Sequence, residues 1–375
     1  MTDIGFVRTD IVDARPAPNR TSGPVAWVKK NLFATPLDSV LTVFGVAFLF
    51  WVVPPLYGFF FGNAVMPGGT VEQCRMENAG ACWAYIAAEM NFFIYGFYPA
   101  SEFWRPNLVF ALGALLLTPI LIPKVPFKRV NAVLLLVVYP IVTYILLSGG
   151  LFGLRVVPTE QWGGLLVTLI ISVVGITLSF PMGIVLALGR QSNLPIIKTA
   201  CVMFIELIRA VPLITILFMA SVMLPLFMPQ GTTVDKFLRA LVGVTLFTSA
   251  YMAEVVRGGL QAIPRGQYEA AAALGLGYWR RMWFIILPQA LKHVIPGIVN
   301  NFISLFKDTS LVYIVGMRDL LEAVKTKNDS AIEWQSANTA TTGYIFAAMV
   351  FWVFCFGMSR YSIFMERRLN TGYKR

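Results

Sequence analysis

Four ionisable side chains lie within long apolar segments, and they have the clearest capacity for binding a ligand. Glu206 and Arg209 are one helical turn apart just before Pro212, and Lys307 directly precedes Asp308. Two straight helices entering a membrane from the same face would carry both cations to a depth of roughly 20 Å, at about 1.5 Å per residue. Because a charge that faces lipid is costly, these side chains are expected to face a polar interior.

These residue types suit the recognition of a small zwitterion. A guanidinium binds a carboxylate through two parallel hydrogen bonds, so Arg209 could hold the carboxylate group. Lys307 would add positive charge to the same pocket, and Asp308 could take the ammonium group. Pro212 would interrupt the helix and expose backbone groups beside the ligand. The same residues could instead form two structural ion pairs, Glu206–Arg209 and Lys307–Asp308, that bind no ligand.

Other kinds of site are missing from the sequence. No Gly-x-x-x-x-Gly-Lys-Ser/Thr run occurs, so the chain has no phosphate-binding loop for ATP. Its one histidine, His293, and its four cysteines do not combine at metal-ligand spacing, so no metal and no cofactor are predicted. The catalytic set of a membrane-embedded hydrolase or transferase cannot be assembled from these residues. The sequence therefore favours a transport protein over an enzyme.

Composition indicates a membrane protein. Hydrophobic residues make up 57% of the chain and charged residues 13%, far from the average of soluble proteins. The net charge of +11 could suggest nucleic acid, but the cations cluster at the ends of apolar runs, so no nucleic acid is expected. The predicted fold is all-α and polytopic, with about eight transmembrane helices of about 20 residues or more each. They lie near residues 39–61, 104–123, 130–148, 162–189, 196–228, 237–256, 293–315 and 341–365.

The placement of cations orients these spans. Most of the 30 Lys and Arg residues fall in the N-terminal segment, the C-terminal tail and alternate connecting loops. By the positive-inside rule both termini are cytoplasmic, and so is the polar loop 257–292. Four segments are predicted in chain order: a cytoplasmic N-terminal segment, a three-helix membrane extension, a five-helix transmembrane domain and a cytoplasmic tail. They cover residues 1–37, 38–155, 156–368 and 369–375.

The four cysteines divide between a polar loop and the spans. Residues 62–103 form an exported loop of the extension, and its Cys74 and Cys82 could form a disulfide in an oxidising compartment. Two reduced thiols fit the sequence about as well. Cys201 and Cys355 fall within spans and are interpreted as small apolar residues.

Two further patterns concern helix packing. The fourth span carries small residues at helical spacing, namely Ser172, Gly175, Ser179, Gly183 and Ala187. Such stripes let helices approach closely in lipid, and a contact within this subunit is favoured over one with a second subunit. Glu254, near the cytoplasmic end of its span, is expected to pair with Arg257 or Arg265.

The cytoplasmic loop contains a patterned helix-turn-helix. Residues 269–274 are strong helix formers, and Gly275-Leu-Gly277 supplies a helix stop and a turn. Within it, Glu-Ala-Ala is followed by three residues and then a Gly. Nine further residues separate this Gly from the run Ile-x-Leu-Pro. The positions are Glu269, Ala270, Ala271, Gly275, Ile285, Leu287 and Pro288. This pattern resembles the signature loop of bacterial ABC importer permeases.

Flanking motifs resemble the polar-amino-acid branch of that family. They are the runs Glu-Leu-Ile-Arg-Ala-Val-Pro-Leu at 206–213, Ala-Tyr-Met-Ala-Glu-Val-Val-Arg-Gly-Gly at 250–259 and Lys-Asp-Thr-Ser-Leu at 307–311. The resemblance covers roughly residues 160–368. A narrower likeness lies at 95–106, where Tyr-Gly-Phe-Tyr-Pro and then Glu-Phe-Trp-Arg-Pro resemble the long-type permeases of general L-amino acid transporters.

The resemblance implies a five-helix permease core, preceded by three extra helices, in a bacterial inner membrane. It implies that residues 257–292, here called the coupling loop, dock into a cytosolic ATPase. The residues that would carry this contact are Glu269, Ala270, Ala271, Gly275, Arg280, Arg281, Leu287 and Pro288. The implied partners are two ATPase subunits, a second permease (the same or a paralogous chain), a periplasmic binding protein and an amino acid.

Two alternatives to this interpretation stay open at the level of sequence. A secondary, ion-coupled amino-acid transporter would also place charges at the membrane midplane, although inverted repeats are expected there and none is found. The coupling loop could also be an amphipathic surface helix that has no partner.

Overall fold

The computed structural model describes residues 23–122, 125–229 and 234–369. Contacts divide them into two units, one of residues 23–64 with 78–81 and one of residues 65–77 with 82–369. The boundary predicted at residue 155 falls inside the second unit. Much of the predicted N-terminal segment, residues 1–22, and most of the predicted C-terminal tail, residues 370–375, lie outside the described residues.

The first unit is built on one long apolar helix. Its helices are α1 (Pro24–Leu32) and α2 (Pro36–Tyr57), and α2 continues as a π-helical turn over Gly58–Gly62. Thr35 and Asp38 cap the start of α2 reciprocally, with the Asp38 amide donating to the Thr35 hydroxyl at 3.1 Å. The run 36–62 is long and apolar enough to span a membrane, in agreement with the span predicted at 39–61.

The second unit contains the other helices of the described residues. Before the main bundle come α3 (Val71–Arg75), α4 (Trp83–Ala88), α5 (Met90–Tyr95), α6 (Trp104–Leu121), α7 (Lys128–Val133) and α8 (Tyr139–Ser148). The bundle follows with α9 (Gly164–Arg190), α10 (Pro195–Ala210), α11 (Leu213–Phe218), α12 (Lys236–Gln261), α13 (Arg265–Ala273), α14 (Tyr278–Arg281), α15 (Leu287–His293), α16 (Ile295–Asp308), α17 (Leu320–Ser330) and α18 (Ala337–Leu369). Short π-helical turns at Leu134–Val138, Met219–Met223 and Met282–Ile286 join neighbouring helices, and 3-10 turns lie at Ala100–Glu102, Thr159–Gln161, Leu224–Phe227, Thr309–Val315 and Ile332–Trp334.

The all-α prediction is confirmed. In the described ranges the only strand is β1 (Arg318–Asp319), which bridges the backbone at Gly163 and Gly164. Six helical runs could cross a membrane as single spans, and two bent pairs would bring the number to eight. The expected number of about eight therefore holds when each bent pair counts as one span.

Two predicted spans are bent rather than straight. The run predicted at 196–228 turns by 104° between Ala210 and Leu213, where Pro212 cannot donate to the helical ladder. The run predicted at 293–315 belongs to a pair that turns by 66° at Val294. The first bend follows Arg209 and the second precedes Lys307, so neither run is a single straight span.

Small residues bring α9 and α12 together. All five members of the α9 stripe, residues 172, 175, 179, 183 and 187, are buried. A Cβ added at Gly183 would lie 2.6 Å from the Met252 side chain, and one at Gly175 would lie 3.2 Å from Leu305. The close approach of α9 to α12 therefore needs glycine at position 183, and the stripe serves packing within this subunit.

The predicted exported loop is a folded cap rather than an open loop. We call residues 65–77 and 82–103, together with α17, the disulfide cap. The Cys74 and Cys82 sulfur atoms are joined, with their Cα atoms 5.6 Å apart, and both residues are buried in a cluster with Tyr85 and Leu320. Gly164, at the start of α9, leaves no room for a side chain against the cap backbone, and its φ is +62°.

Candidate functional site

The coupling loop folds as two helices joined by a glycine turn. Helix α13 ends in a Schellman motif, in which the Gly275 amide donates to the Ala272 carbonyl at 2.9 Å and the Leu276 amide donates to the Ala271 carbonyl at 3.2 Å. The Gly275 φ is +72°, in the left-handed region. Nothing lies within 4 Å of an added Cβ at this position, so the demand for glycine comes from the backbone and not from crowding.

One face of the loop is anchored to the bundle. Ala271 on α13 and Leu287 on α15 are buried, and Leu287 belongs to the core that α9 and α12 form at this end. The Tyr268 hydroxyl also donates to the Leu260 carbonyl on α12 at 3.2 Å. The loop is therefore a fixed part of the protein and not a flexible connection.

The other face of the loop is open. Glu269, Ala270, Gly275, Arg280 and Pro288 are exposed, and Arg281 is half-buried. Large apolar side chains are exposed beside them, with Leu274 at 76% and Phe284 at 77% of their maximal accessible area, and with Trp279 and Trp283 also exposed. Apolar and charged groups on one rigid surface are typical of an interaction site. The eight residues predicted to contact the ATPase thus divide into an inner pair, Ala271 and Leu287, and an outer set of six.

The structure gathers one predicted pathway pair into a larger charge cluster. Glu254 on α12 contacts Arg190 at 2.8 Å, Arg257 at 2.9 Å and Arg209 at 3.5 Å. Glu206 pairs with Arg190 at 2.9 Å. We call these five residues the Glu254 cluster. The expected Glu254–Arg257 pair is present, whereas no Glu206–Arg209 pair forms among the described residues.

Arg209 and Lys307 lie at different heights along the α9 axis. Leu305, two residues before Lys307, packs beside Gly175, whereas Ala253, next to Glu254, packs beside Gly183. Gly175 and Gly183 are eight residues apart on α9, which is about 12 Å along the helix. Arg209 therefore lies nearer the coupling loop than Lys307 and Asp308 do, whereas the sequence analysis expected the two cations at a similar depth.

One candidate side chain escaped the sequence reasoning. The Asn301 amide nitrogen on α16 is buried and has no hydrogen-bond partner within the described ranges. Asn301 lies two helical turns before Asp308, on the same side of α16. An asparagine in an apolar span is the sequence signal that could have drawn attention to it.

The motif at 95–106 has a structural role. Arg105 is 1% exposed, pairs with Glu102 at 2.9 Å and donates to the Arg155 carbonyl at 2.8 Å. The Tyr95 ring stacks on Phe103 with the ring centroids 4.2 Å apart. These contacts tie the disulfide cap to α6 and to the segment that precedes α9.

The helical bundle and the exposed coupling loop define a multi-pass membrane protein with a built docking surface. A family model described as "Binding-protein-dependent transport system inner membrane component" matches residues 179–371. The chain belongs to this family, as the signature loop indicated. The chain is accordingly a transport component.

Two relatives agree with this placement. The chain is 50% identical to the inner membrane amino-acid ABC transporter permease protein YhdY of Escherichia coli (strain K12), with 96% of each chain covered. It is 40% identical to the glutamate/glutamine/aspartate/asparagine transport system permease protein BztC of Rhodobacter capsulatus, with 100% of each covered. A crystal structure of an amino acid ABC transporter with histidines is similar with a TM-score of 0.48 and 30% identity, covering 55% of this chain and 92% of that one.

Proposed function

We propose that this chain is the membrane permease subunit of an ATP-driven amino-acid importer. It forms half of the translocation pathway and transmits the closure of a cytosolic ATPase to the membrane helices. The observation that carries this proposal is the coupling loop, which presents an exposed surface on a helix pair anchored in the bundle. The Escherichia coli relative, named as an amino-acid ABC transporter permease, supports the choice of substrate class.

The orientation of the chain in the membrane follows from the distribution of its Lys and Arg residues. With both termini in the cytoplasm of a bacterial inner membrane, the coupling loop faces the cytosol and the disulfide cap faces the exported side. Two ATPase subunits then bind the coupling loops, a second permease (identical or paralogous) completes the pathway, and a periplasmic protein delivers the amino acid. Because the chain has no phosphate-binding loop, ATP hydrolysis belongs to the separate subunits.

An ion-coupled secondary transporter fits less well. Membership of the binding-protein-dependent family favours ATP coupling. A secondary transporter would also leave the coupling loop without a role, although this loop buries one face in the bundle and keeps the other exposed.

The pathway residues follow from chemistry rather than from a bound ligand. Arg209 offers a guanidinium for the α-carboxylate that every amino acid carries. Asp308, with Lys307 beside it, lies about 12 Å further along the bundle at about 1.5 Å per helical residue. Its carboxylate therefore meets the α-ammonium group at a separate position of the pathway, and not while Arg209 holds the α-carboxylate. Glu206 pairs with Arg190 and not with Arg209, and it lines this pathway.

Purification of the intact complex tests the proposal. The tagged chain is extracted from its own bacterium in a mild detergent, and the co-purifying subunits are identified by mass spectrometry. We expect an ATPase subunit and a permease, either a second copy or a paralogue. Recovery of the chain without any ATPase, from membranes in which it is correctly inserted, would contradict the proposal.

A further inference from the structure

The Glu254 cluster carries more positive than negative charge. Three guanidinium groups, from Arg190, Arg209 and Arg257, share two carboxylates, from Glu206 and Glu254, so the sum is one positive charge. The residues come from α9, α10 and α12, and each is at least partly exposed. A positive excess on partly exposed side chains attracts an anionic group.

Within the cluster, Arg209 is the cation held most weakly. Glu254 contacts Arg190 at 2.8 Å and Arg257 at 2.9 Å, which are distances of charge-assisted hydrogen bonds. Its distance to Arg209 is 3.5 Å, too long for a strong hydrogen bond. Glu254 therefore retains two strong partners when Arg209 binds another carboxylate.

Arg209 also has unused binding capacity. Its Nε atom is buried and has no hydrogen-bond partner among the described residues. Its guanidinium lies 5.5 Å from the centre of the Tyr251 ring, which holds the group without occupying its donors. A buried N–H without a partner is costly, and a carboxylate that accepts from Nε and Nη together would remove that cost.

We propose that Arg209 is the carboxylate-binding site at the coupling-loop end of the pathway, with Glu254 as the counter-ion that a substrate replaces. The site lies about 10 Å from the end of α12, since Glu254 precedes Gln261 by seven residues at about 1.5 Å each. It takes the α-carboxylate of an amino acid about to leave toward the cytosol. The excess positive charge makes the site favour neutral and acidic amino acids over basic ones. This inference rests on the proposed function and adds the location, the counter-ion and the charge class.

Binding of three amino acids of similar length tests the proposal. The intact detergent-purified complex, without binding protein or ATP, is equilibrated with radiolabelled L-glutamine, L-glutamate or L-lysine. Glutamine and glutamate are expected to bind more tightly than lysine. Glu254→Gln removes the competing carboxylate and is expected to tighten glutamine binding up to about fivefold, the limit for a partly exposed pair worth about 1 kcal/mol.

Two further variants separate ligand binding from a structural role. Arg209→Lys keeps the charge, loses the planar fork and is expected to weaken binding, opposite in sign to Glu254→Gln. Glu89→Gln is the matched control, because the Glu89 carboxylate pairs with Lys327 at 2.7 Å and contacts no member of the cluster, and it is expected to leave glutamine binding unchanged. A structural pair would instead give the same sign for Glu254→Gln and Arg209→Lys.

Several results would overturn the proposal. They are effects of the same sign in Glu254→Gln and Arg209→Lys, an effect of Glu89→Gln as large as that of Glu254→Gln, tighter binding of lysine, and no binding of any of the three amino acids. ATP-driven uptake by the wild-type complex is measured as well, because it tests the proposed function independently of the carboxylate site. ATP-driven uptake that continues while Glu254→Gln has no effect on binding rejects only the carboxylate site.

Discussion

At the end of the second unit where α9 begins, the disulfide cap is held by a covalent bond and buried side chains, whereas at the other end the coupling loop is held by one buried face. Cys74 and Cys82 in the cap, and Arg105 on the adjoining α6, are each about 1% exposed or less. In the loop, Leu274 and Phe284 are more than three-quarters exposed. Both ends are well-formed helical structures, so the difference lies in what each leaves accessible.

This difference indicates where stability and function are placed. A segment that buries its charges and aromatic rings contributes to the free energy of unfolding and has little surface left for binding. A segment that keeps large apolar groups exposed on a rigid frame is stabilised when a partner covers those groups. We therefore expect substitutions in the cap to change stability first and substitutions in the loop to change transport first.

The largest effect is expected at Gly275. Gly275→Asp forces a side chain into the left-handed region and puts a negative charge at a helix C-terminus. The backbone strain and the unfavourable charge–dipole interaction both destabilise the turn. The protein is expected to remain in the membrane but to lose its ATPase partner or its transport activity. Uptake and co-purification measure the result.

Gly277 provides the matched control for this prediction. It has equally open space for a Cβ, but its φ is −61°, which other residues adopt readily, and it caps α14, where Asp is a favoured residue. Gly277→Asp should therefore retain transport. Wild-type uptake by Gly275→Asp would remove the coupling role from this loop.

The next effect is a loss of stability at Arg105. Arg105→Ala leaves the Glu102 carboxylate and the Arg155 carbonyl without their buried partner, which is expected to cost about 3 kcal/mol. Arg280→Ala, on the exposed loop, should leave the thermal midpoint within about 1 °C and lower ATPase binding instead. Thermal unfolding of the purified protein measures both. Equal midpoints for the two variants would contradict the comparison between the two ends.

The disulfide should contribute a smaller amount to the free energy of unfolding. A bridge that closes a loop of about nine residues contributes about 2–3 kcal/mol in the chain-entropy model. Cys74 and Cys82 should therefore resist alkylation in denatured, unreduced protein and react after reduction, and reduction should lower the thermal midpoint. Cys201 and Cys355, which are free thiols, serve as internal controls for labelling. Alkylation of all four cysteines without reductant would show that the bridge is not formed.

The smallest effect is expected at the start of α17 in the cap. The Asp319 carboxylate accepts hydrogen bonds from the Leu321 and Glu322 amides at 3.1 Å, and burial raises its pKa to about 6. The folded state therefore binds this proton more tightly than the unfolded state does, and the contribution of Asp319 to stability falls as pH rises from about 4 through about 6.

Two variants check this prediction. Asp319→Asn keeps a favoured helix cap and should remove that pH dependence, whereas Asp319→Ala should cost about 1 kcal/mol through loss of the cap. Thermal midpoints at pH 5 and pH 7 measure both effects. An unchanged pH dependence in Asp319→Asn would show that another group is responsible.

Much of the architecture follows from the sequence because lipid imposes strong constraints. Apolar length predicts the spans, and the glycine at 275 predicts the turn of the coupling loop from local backbone geometry alone. The small-residue stripe on α9 likewise predicts a close helix contact. These features depend on residues near one another in the chain.

The partners of the charged residues could not be predicted in the same way. Glu206 and Arg209 are three residues apart on α10, yet Glu206 pairs with Arg190 on α9 and Arg209 pairs with Glu254 on α12. The folded cap also depends on contacts between residues 65–103 and α17, more than two hundred residues later in the chain. Sequence spacing gives no measure of such distances.

Amino-acid uptake into proteoliposomes tests the central claim most directly. The intact complex is reconstituted with its binding protein outside and either ATP or a non-hydrolysable analogue at the coupling-loop side, with all ion gradients collapsed. We predict uptake of an amino acid with ATP alone, and its loss in Gly275→Asp but not in Gly277→Asp. Uptake that needs an ion gradient and proceeds without ATP would contradict the assignment of this chain as an ATP-coupled permease.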